Sequence, residues 1–175
     1  MTTVKMLITG DVGSGKTEFI RTISEIDPVS TEAKVTDDLA DLKLETTVAM
    51  DFGRITVDDD LVLHLYGTPG QIRFDFMWEI LSTGILGYIV MVDSTRPQTC
   101  PATRRVIDFF EVISDVPYIV VANKQDVDNA FSADDVRHIL SLDEGVPVLP
   151  CSALDKEDVK EVLLTLFERI LAGVG

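Results

Sequence analysis

The sequence predicts a single α/β domain over residues 1–175, built on a mostly parallel six-stranded sheet with one antiparallel strand and helices on both faces. Short apolar runs alternate with stretches of helical periodicity, which is the pattern of strands joined by crossover helices. Two β-rich runs meet across Asp58, Asp59 and Asp60, which reads as a hairpin and supplies the antiparallel strand. No linker, repeat or shift in composition divides the chain, and 175 residues suit one core.

Val4 to Ile8 is an apolar run of strand length, followed by the glycine-rich stretch GDVGSGKT at 10 to 17. Lys16 to Ile26 reads as a helix with Phe19, Ile20 and Ile23 on one face. Residues 27 to 46 are acidic and poorly periodic, and read as a long loop. The hairpin pairs 48–57 with 61–66. GTPGQ at 67 to 71 follows, then a helix from Ile72 to Thr83. Ile85 to Val92 is a buried strand, and Ala102 to Ser114 a helix behind Pro101. Tyr118 to Ala122 is the next strand. Ser132 caps a helix running to about Leu140, with Asp135 in its first turn. Val146 to Leu149 is a short strand. Asp155 caps the last helix, whose apolar face carries Val159, Val162, Leu163, Leu166, Phe167 and Ile170.

The net charge of -15 argues against nucleic acid and anionic lipid as partners, since both need a basic face. An anionic ligand must then sit in a locally positive pocket. Cys100 and Cys151 make no disulfide framework, so a reducing cytoplasm is expected. No apolar run is long enough to span a bilayer. MTTV has no glycine after Met1 for myristoylation and LAGVG no prenylation cysteine, so no membrane anchor is expected.

Ligands in such sheets bind at the carboxyl ends of the strands. GDVGSGKT fits G-x-x-x-x-G-K-[ST] between a strand and a helix, the context that a phosphate loop requires. Gly10, Gly13, Ser14 and Gly15 wrap backbone N–H groups around phosphate oxygens at a positive helix end. Lys16 reaches the outer phosphates, and the Thr17 hydroxyl is a ligand for Mg²⁺. NKQD at 123 to 126 supplies the base contact. The Asp126 carboxylate can accept two hydrogen bonds from guanine N1–H and its amine, which adenine does not offer in that arrangement. Asn123 holds the loop and the Lys124 stem covers the purine. CSAL at 151 to 154 brings Ser152 and Ala153, whose N–H can meet guanine O6. Cys151 has no histidine nearby in sequence and reads as packing.

With these motifs in this order, together with VDST at 92 to 95, the chain resembles the small Ras-like GTPases along essentially its full length, and so implies the G-domain form of the P-loop NTPase fold. The resemblance implies GTP and GDP as ligands with Mg²⁺. TVAMDF at 47 to 52 is similar to the first switch of Rab-type members, making Thr47 the metal and γ-phosphate threonine, with Thr46 as the alternative. GTPGQ is similar to the second switch, which makes Gln71 the residue that positions water and Gly70 the γ-phosphate sensor. By the same resemblance Gln71, Lys16 and Thr47 serve hydrolysis.

Two positions depart from the pattern. Gly67 stands where the family carries a Mg²⁺-associated aspartate, and with P-G-Q this resembles the bacterial MglA-type and related prokaryotic GTPases. Those imply a Roadblock-type activating protein besides a protein effector. Val12 replaces a glycine of Ras proper and crowds the space of a Ras-type arginine finger. A hairpin centred on Asp59 would set Gly67 opposite Asp51, give or take one position, on the same face. Asp51 then either replaces the missing carboxylate or is a polar strand residue, as in Rab-type chains that keep both aspartates. Arg54 and Arg73 read as surface or ion-paired residues, and His64 and His138 as structural ones. FDFMWEI at 74 to 80 reads as an effector surface or as core. The expected activity is slow GTP hydrolysis by a switch that regulates a protein partner. A GTP-binding module with scarcely any turnover and a small-metabolite kinase are the alternatives.

Overall fold

The computed structural model describes residues 1–39, 42–69 and 75–173, with side chains for all of these except 29–49, 75 and 76. Strands β1 (Thr2–Gly10), β2 (Val29–Leu39), β3 (Leu42–Asp58), β4 (Leu61–Gly67), β5 (Gly87–Asp93), β6 (Tyr118–Asn123) and β7 (Val148–Pro150) form one sheet in the order β2-β3-β4-β1-β5-β6-β7. Helices α1 (Lys16–Ile23), α2 (Asp75–Leu81), α3 (Cys100–Ile113), α4 (Ala133–Ile139) and α5 (Lys156–Gly173) cover it. β1, β4, β5, β6 and β7 pair in parallel, and β3 runs against both its neighbours.

The expected fold class holds, with one addition. The segment expected to be a loop at 27–46 contains β2, a seventh strand among the described residues, paired with β3 from Val29↔Phe52 to Leu39↔Leu42. Its acidic residues hide a run of β-branched Val29, Thr31, Val35 and Thr36, and a ladder to β3 satisfies the backbone.

Alternation along β1 divides the core. Val4, Met6 and Ile8 face α1 and α5, meeting Phe19, Ile20, Val159, Val162 and Leu166. Leu7 faces the opposite layer with Trp78, Tyr88, Val106, Ile107, Phe110 and Val136. The two short interior strands β5 and β6 are apolar on both faces, as a strand covered by helices on each side must be.

Local chemistry sets the element ends. α1 stops at Ile23, three residues before the expected end, because Ser24 Oγ donates to Ile26 O (2.7 Å) and accepts from Arg54 N–H (3.1 Å). α4 begins in a reciprocal capping box, Ser132 Oγ accepting from Asp135 N–H and the Asp135 carboxylate from Ser132 N–H. Asp155 Oδ1 accepts from the N–H groups of Glu157 (2.9 Å) and Asp158 (3.1 Å), capping α5 as expected.

Candidate nucleotide-binding site

β1, β5, β6 and β7 run the same way, so the phosphate loop, Asp93, NKQD and CSAL emerge along one edge of the sheet. The loop is built against its neighbours. Gly10 has φ +145°, and a Cβ there would come 2.4 Å from Met91 O. Gly15 has φ +104°, and its Cβ would come 2.1 Å from Asn123 Nδ2. A side chain at either position would collide with the sheet edge as well as strain the backbone. Lys16 Nζ donates to the carbonyls of Gly10 (2.9 Å) and Asp11 (2.8 Å), so the ammonium lies across the loop. Burial pulls its pKa down to about 8, although the Asp11 and Asp51 carboxylates pull the other way.

Asn123 joins three loops. Its Nδ2 donates to Ser14 O (2.8 Å) and its Oδ1 accepts from Ala153 N–H (2.9 Å), all buried. Ala153 N–H, expected at guanine O6, is therefore engaged with Asn123 in this structure. The Ser152 N–H donates to Asp158 Oδ2 (2.9 Å). Lys124 has φ +67° and forms an ion pair with Asp93 (2.7 Å), which is only 4 % exposed. Burial alone would raise the Asp93 pKa. The hydrogen bonds from Lys124 and from the Thr95 hydroxyl and N–H outweigh it and hold the carboxyl below its usual range. The Lys124 stem is thereby fixed beside a cleft of about 190 Å³ lined by Gly15, Asn123, Asp126, Ala153 and Leu154. Asp126 is exposed, and its carboxylate makes no hydrogen bond among the described residues.

Thr17 Oγ1 donates to Asp51 Oδ2 at 2.5 Å. A hydroxyl has one hydrogen and two lone pairs, so this bond leaves oxygen lone pairs for a hard cation, and the oxygen donors present fit Mg²⁺. Thr47 and Thr46 lie on the β3 backbone opposite Lys34 and Val35, with their side chains outside those described. Gly70, Gln71 and Arg73 lie outside the described residues. Gly13 stands at φ +78° in open space, and Val12 is exposed.

Several other expectations are decided. Trp78 is buried and donates through Nε1 to Pro69 O (2.9 Å), and Met77 and Leu81 are core, whereas Ile80 is 59 % exposed. α2 thus holds Pro69 through Trp78 and leaves Ile80 to solvent. His64 packs edge-on against Phe52 and His138 is exposed on α4. Cys151 is fully buried in the core, and burial first, then the Asp158, Asp155 and Glu161 charges, raise its thiol to about 12, in keeping with a packing role. Sequence reasoning missed the role of Asp93. The available signal was a lone carboxylate ending the fully apolar run of β5.

A family model described as "Conserved hypothetical ATP binding protein" matches residues 27–173. The chain belongs to this family. The matched span begins beyond the phosphate loop, so the loop is a feature of the chain outside the match. ADP-ribosylation factor-like protein 3 of Saccharomyces cerevisiae is 29% identical, covering 94% of this chain and 84% of the relative. Ras-related protein SEC4 of the same yeast is 26% identical, over 98% and 80%. Uncharacterized protein MJ1339 of Methanocaldococcus jannaschii is 31% identical, over 71% of each chain. This member of the ATP-binding-protein family is thus a homologue of the Ras/Arf-like small GTPases, and nucleotide binding is common ground between the two descriptions. No helix among the described residues is long and apolar enough to cross a membrane.

Proposed function

We propose that the chain is a GTP-binding switch, one Ras-like domain over residues 1–175, which hydrolyses GTP slowly to GDP and phosphate in the cytoplasm. One observation carries this reading. Asn123 ties the phosphate loop to both base loops, and the cleft they share has an exposed Asp126 carboxylate without a hydrogen-bond partner among the described residues. A free bidentate acceptor there selects a base with two adjacent donors, which is guanine rather than adenine, despite the family's description.

The N–H groups of Gly13, Ser14, Gly15 and Lys16 bind the phosphates, and Thr17 with Thr47 holds the metal. Mg²⁺, when bound, neutralises charge on the phosphoryl oxygens. Lys16 leaves the Gly10 and Asp11 carbonyls for the outer phosphates. Gln71 orients the attacking water, and Gly70 with Thr47 reports the γ-phosphate to a protein effector. Gly67 and P-G-Q favour the MglA-type prokaryotic branch, and with it a Roadblock-type activating protein.

Gly67 and Val12 also favour a second reading, a GTP-binding module with little turnover. Incubation with Mg²⁺ and GTP or ATP, followed by chromatography of the nucleotides, separates them. GDP with phosphate supports hydrolysis, bound but intact GTP supports the module, and preferential use of ATP overturns the base assignment.

A further inference from the structure

The sheet edge opposite the nucleotide motifs carries a groove that shares no residue with the nucleotide cleft. Thr2 N–H donates to Asp60 O (2.6 Å), so the β3–β4 turn lies beside the start of β1. The far end of α5 reaches the same edge, Ile170 lying against Gly87 at the start of β5. Between α5 and the hairpin is a space of about 400 Å³, walled by Val57 and Leu61 on one side and by Leu164, Phe167 and Leu171 on the other. Every lining side chain is apolar except Lys160. A helix needs one apolar stripe to pack on a sheet, and in α5 Val159, Val162, Leu166 and Ile170 already form it. Leu164, Phe167 and Leu171 make a second stripe at i, i+3 and i+7. Leu164 is 62 % exposed and Leu171 70 %, and Val57 across the groove is 50 % exposed. From Lys160 to Leu171 the groove runs about 16 Å along the helix, or three turns.

Its walls restrict what can lie in it. β3 and β4 are each paired on both sides and α5 bonds its own backbone, so neither wall offers a free strand edge. An extended segment laid there would bury peptide groups without partners, whereas a helix satisfies its own. Both borders are acidic. At about 100° per residue, Glu157, Glu161 and Glu168 line the solvent side of the second stripe, and Asp58, Asp59 and Asp60 stand exposed on the hairpin turn. The carboxylates of Asp59, Asp60, Glu161 and Glu168 make no hydrogen bond or ion pair among the described residues. Lys160 is already paired with Glu157 (3.2 Å). A second copy of the chain would bring the same carboxylates against these across a twofold axis, and an anionic membrane would bring phosphates. Basic residues beside an apolar helix face complement both borders.

We infer that the groove between α5 and the β3–β4 hairpin docks an amphipathic helix of a protein partner, about three turns long, whose apolar face fills the groove and whose Lys or Arg residues meet the acidic borders on each side. This goes beyond the nucleotide reading and does not depend on it.

The probe is a fluorescein-labelled synthetic peptide of about four turns, with Leu on one helical face and Lys on both flanks. A peptide with Glu in place of each Lys and a scrambled peptide of the same composition are the controls. Fluorescence anisotropy with the full chain, at physiological ionic strength, should show the Lys peptide binding at least about 10-fold more tightly than either control, with a gain of helix in circular dichroism. Leu164→Gln/Leu171→Gln, at exposed positions, should weaken it at least about 10-fold without lowering the melting temperature. Glu161→Lys/Glu168→Lys should move preference toward the Glu peptide. Asp115→Lys/Glu144→Lys, which reverses the same charge on loops outside the groove, should leave preference with the Lys peptide. Should the leucine variant melt early, the two charge variants decide alone. No binding, equal binding of the scrambled peptide, undiminished binding by a folded leucine variant, or equal loss in both charge variants overturns the inference. So does a dimer in sedimentation that the leucine variant dissociates, which gives the groove to a second copy. Flotation with phosphatidylcholine vesicles that the leucine variant loses overturns it in favour of a lipid surface.

Discussion

At the scale of single residues, Asp126 and Lys16 make the sharpest claims. Asp126 is exposed and unbonded among the described residues, and the proposed function gives it the base contact. Asp126→Asn should move preference from guanine toward xanthine nucleotides and cost about 2 to 5 kcal/mol of GTP binding, measured by competition of GTP, XTP and ATP. An unchanged GTP preference would contradict the assignment. Lys16 makes a claim about pH. In the free protein its pKa is about 8, lowered by burial, and phosphates should raise it in the complex. Below pH 8 the ammonium carries its proton in both states, so no proton moves on binding. Above it the free protein has lost that proton and binding takes one up. Affinity for the nucleotide should therefore fall on the order of 20-fold between about pH 7.5 and 9.5. Calorimetry at about pH 8.5 in buffers of different ionisation enthalpy should show uptake of most of one proton per nucleotide. Proton release, or none exchanged, would contradict it.

Among elements, the loops at the sheet edge stand or fall with Asn123. It satisfies Ser14 O and Ala153 N–H across 109 and 30 residues of sequence, in a buried position. Asn123→Ala orphans both groups at about 1 to 3 kcal/mol each, so a loss of about 2 kcal/mol or more is expected in urea unfolding, with the slope unchanged. Asp126→Asn should leave the same midpoint within error, which separates framework from base contact. At this scale the sequence was legible where the period was strong. The apolar face of α5 was read residue by residue, and Phe167 alone of its six residues is only partly buried. The Ser132 and Asp155 caps were legible because a side chain three residues or fewer from its partner is a local matter. β2 was not legible, because its pairing energy lies in the backbone ladder to β3 while its side chains carry the acidic signature of a loop. The same holds for the Lys124–Asp93 pair and the Asn123 bridges, whose partners the fold alone brings together. The Asp51–Gly67 register could be reckoned from turn length, and it was met because the hairpin irregularity shifted the ladder toward the symmetric solution.

For the whole molecule, an acidic protein of net charge -15 gathers its glycine-rich loop and Lys16 at one edge of a parallel sheet. That placement follows from strand direction, which is why the fold class, and the one edge at which these motifs emerge, were both readable from motif order. The hydrolytic part of the proposal rests on residues beyond the described ones. Gln71→Leu should lower the rate of GTP cleavage by more than 10-fold while GTP affinity stays nearly intact, since water positioning belongs to the transition state. A single-turnover assay at wild-type speed would remove Gln71 from the mechanism. The most direct measurement is single-turnover cleavage of GTP by the purified chain with Mg²⁺ and competing ATP. GDP and phosphate should form from GTP at about 10⁻⁴ to 10⁻³ s⁻¹, with ATP left intact. GTP that stays whole over many such half-lives, or ATP cleaved in its place, would contradict a guanine-specific hydrolytic switch.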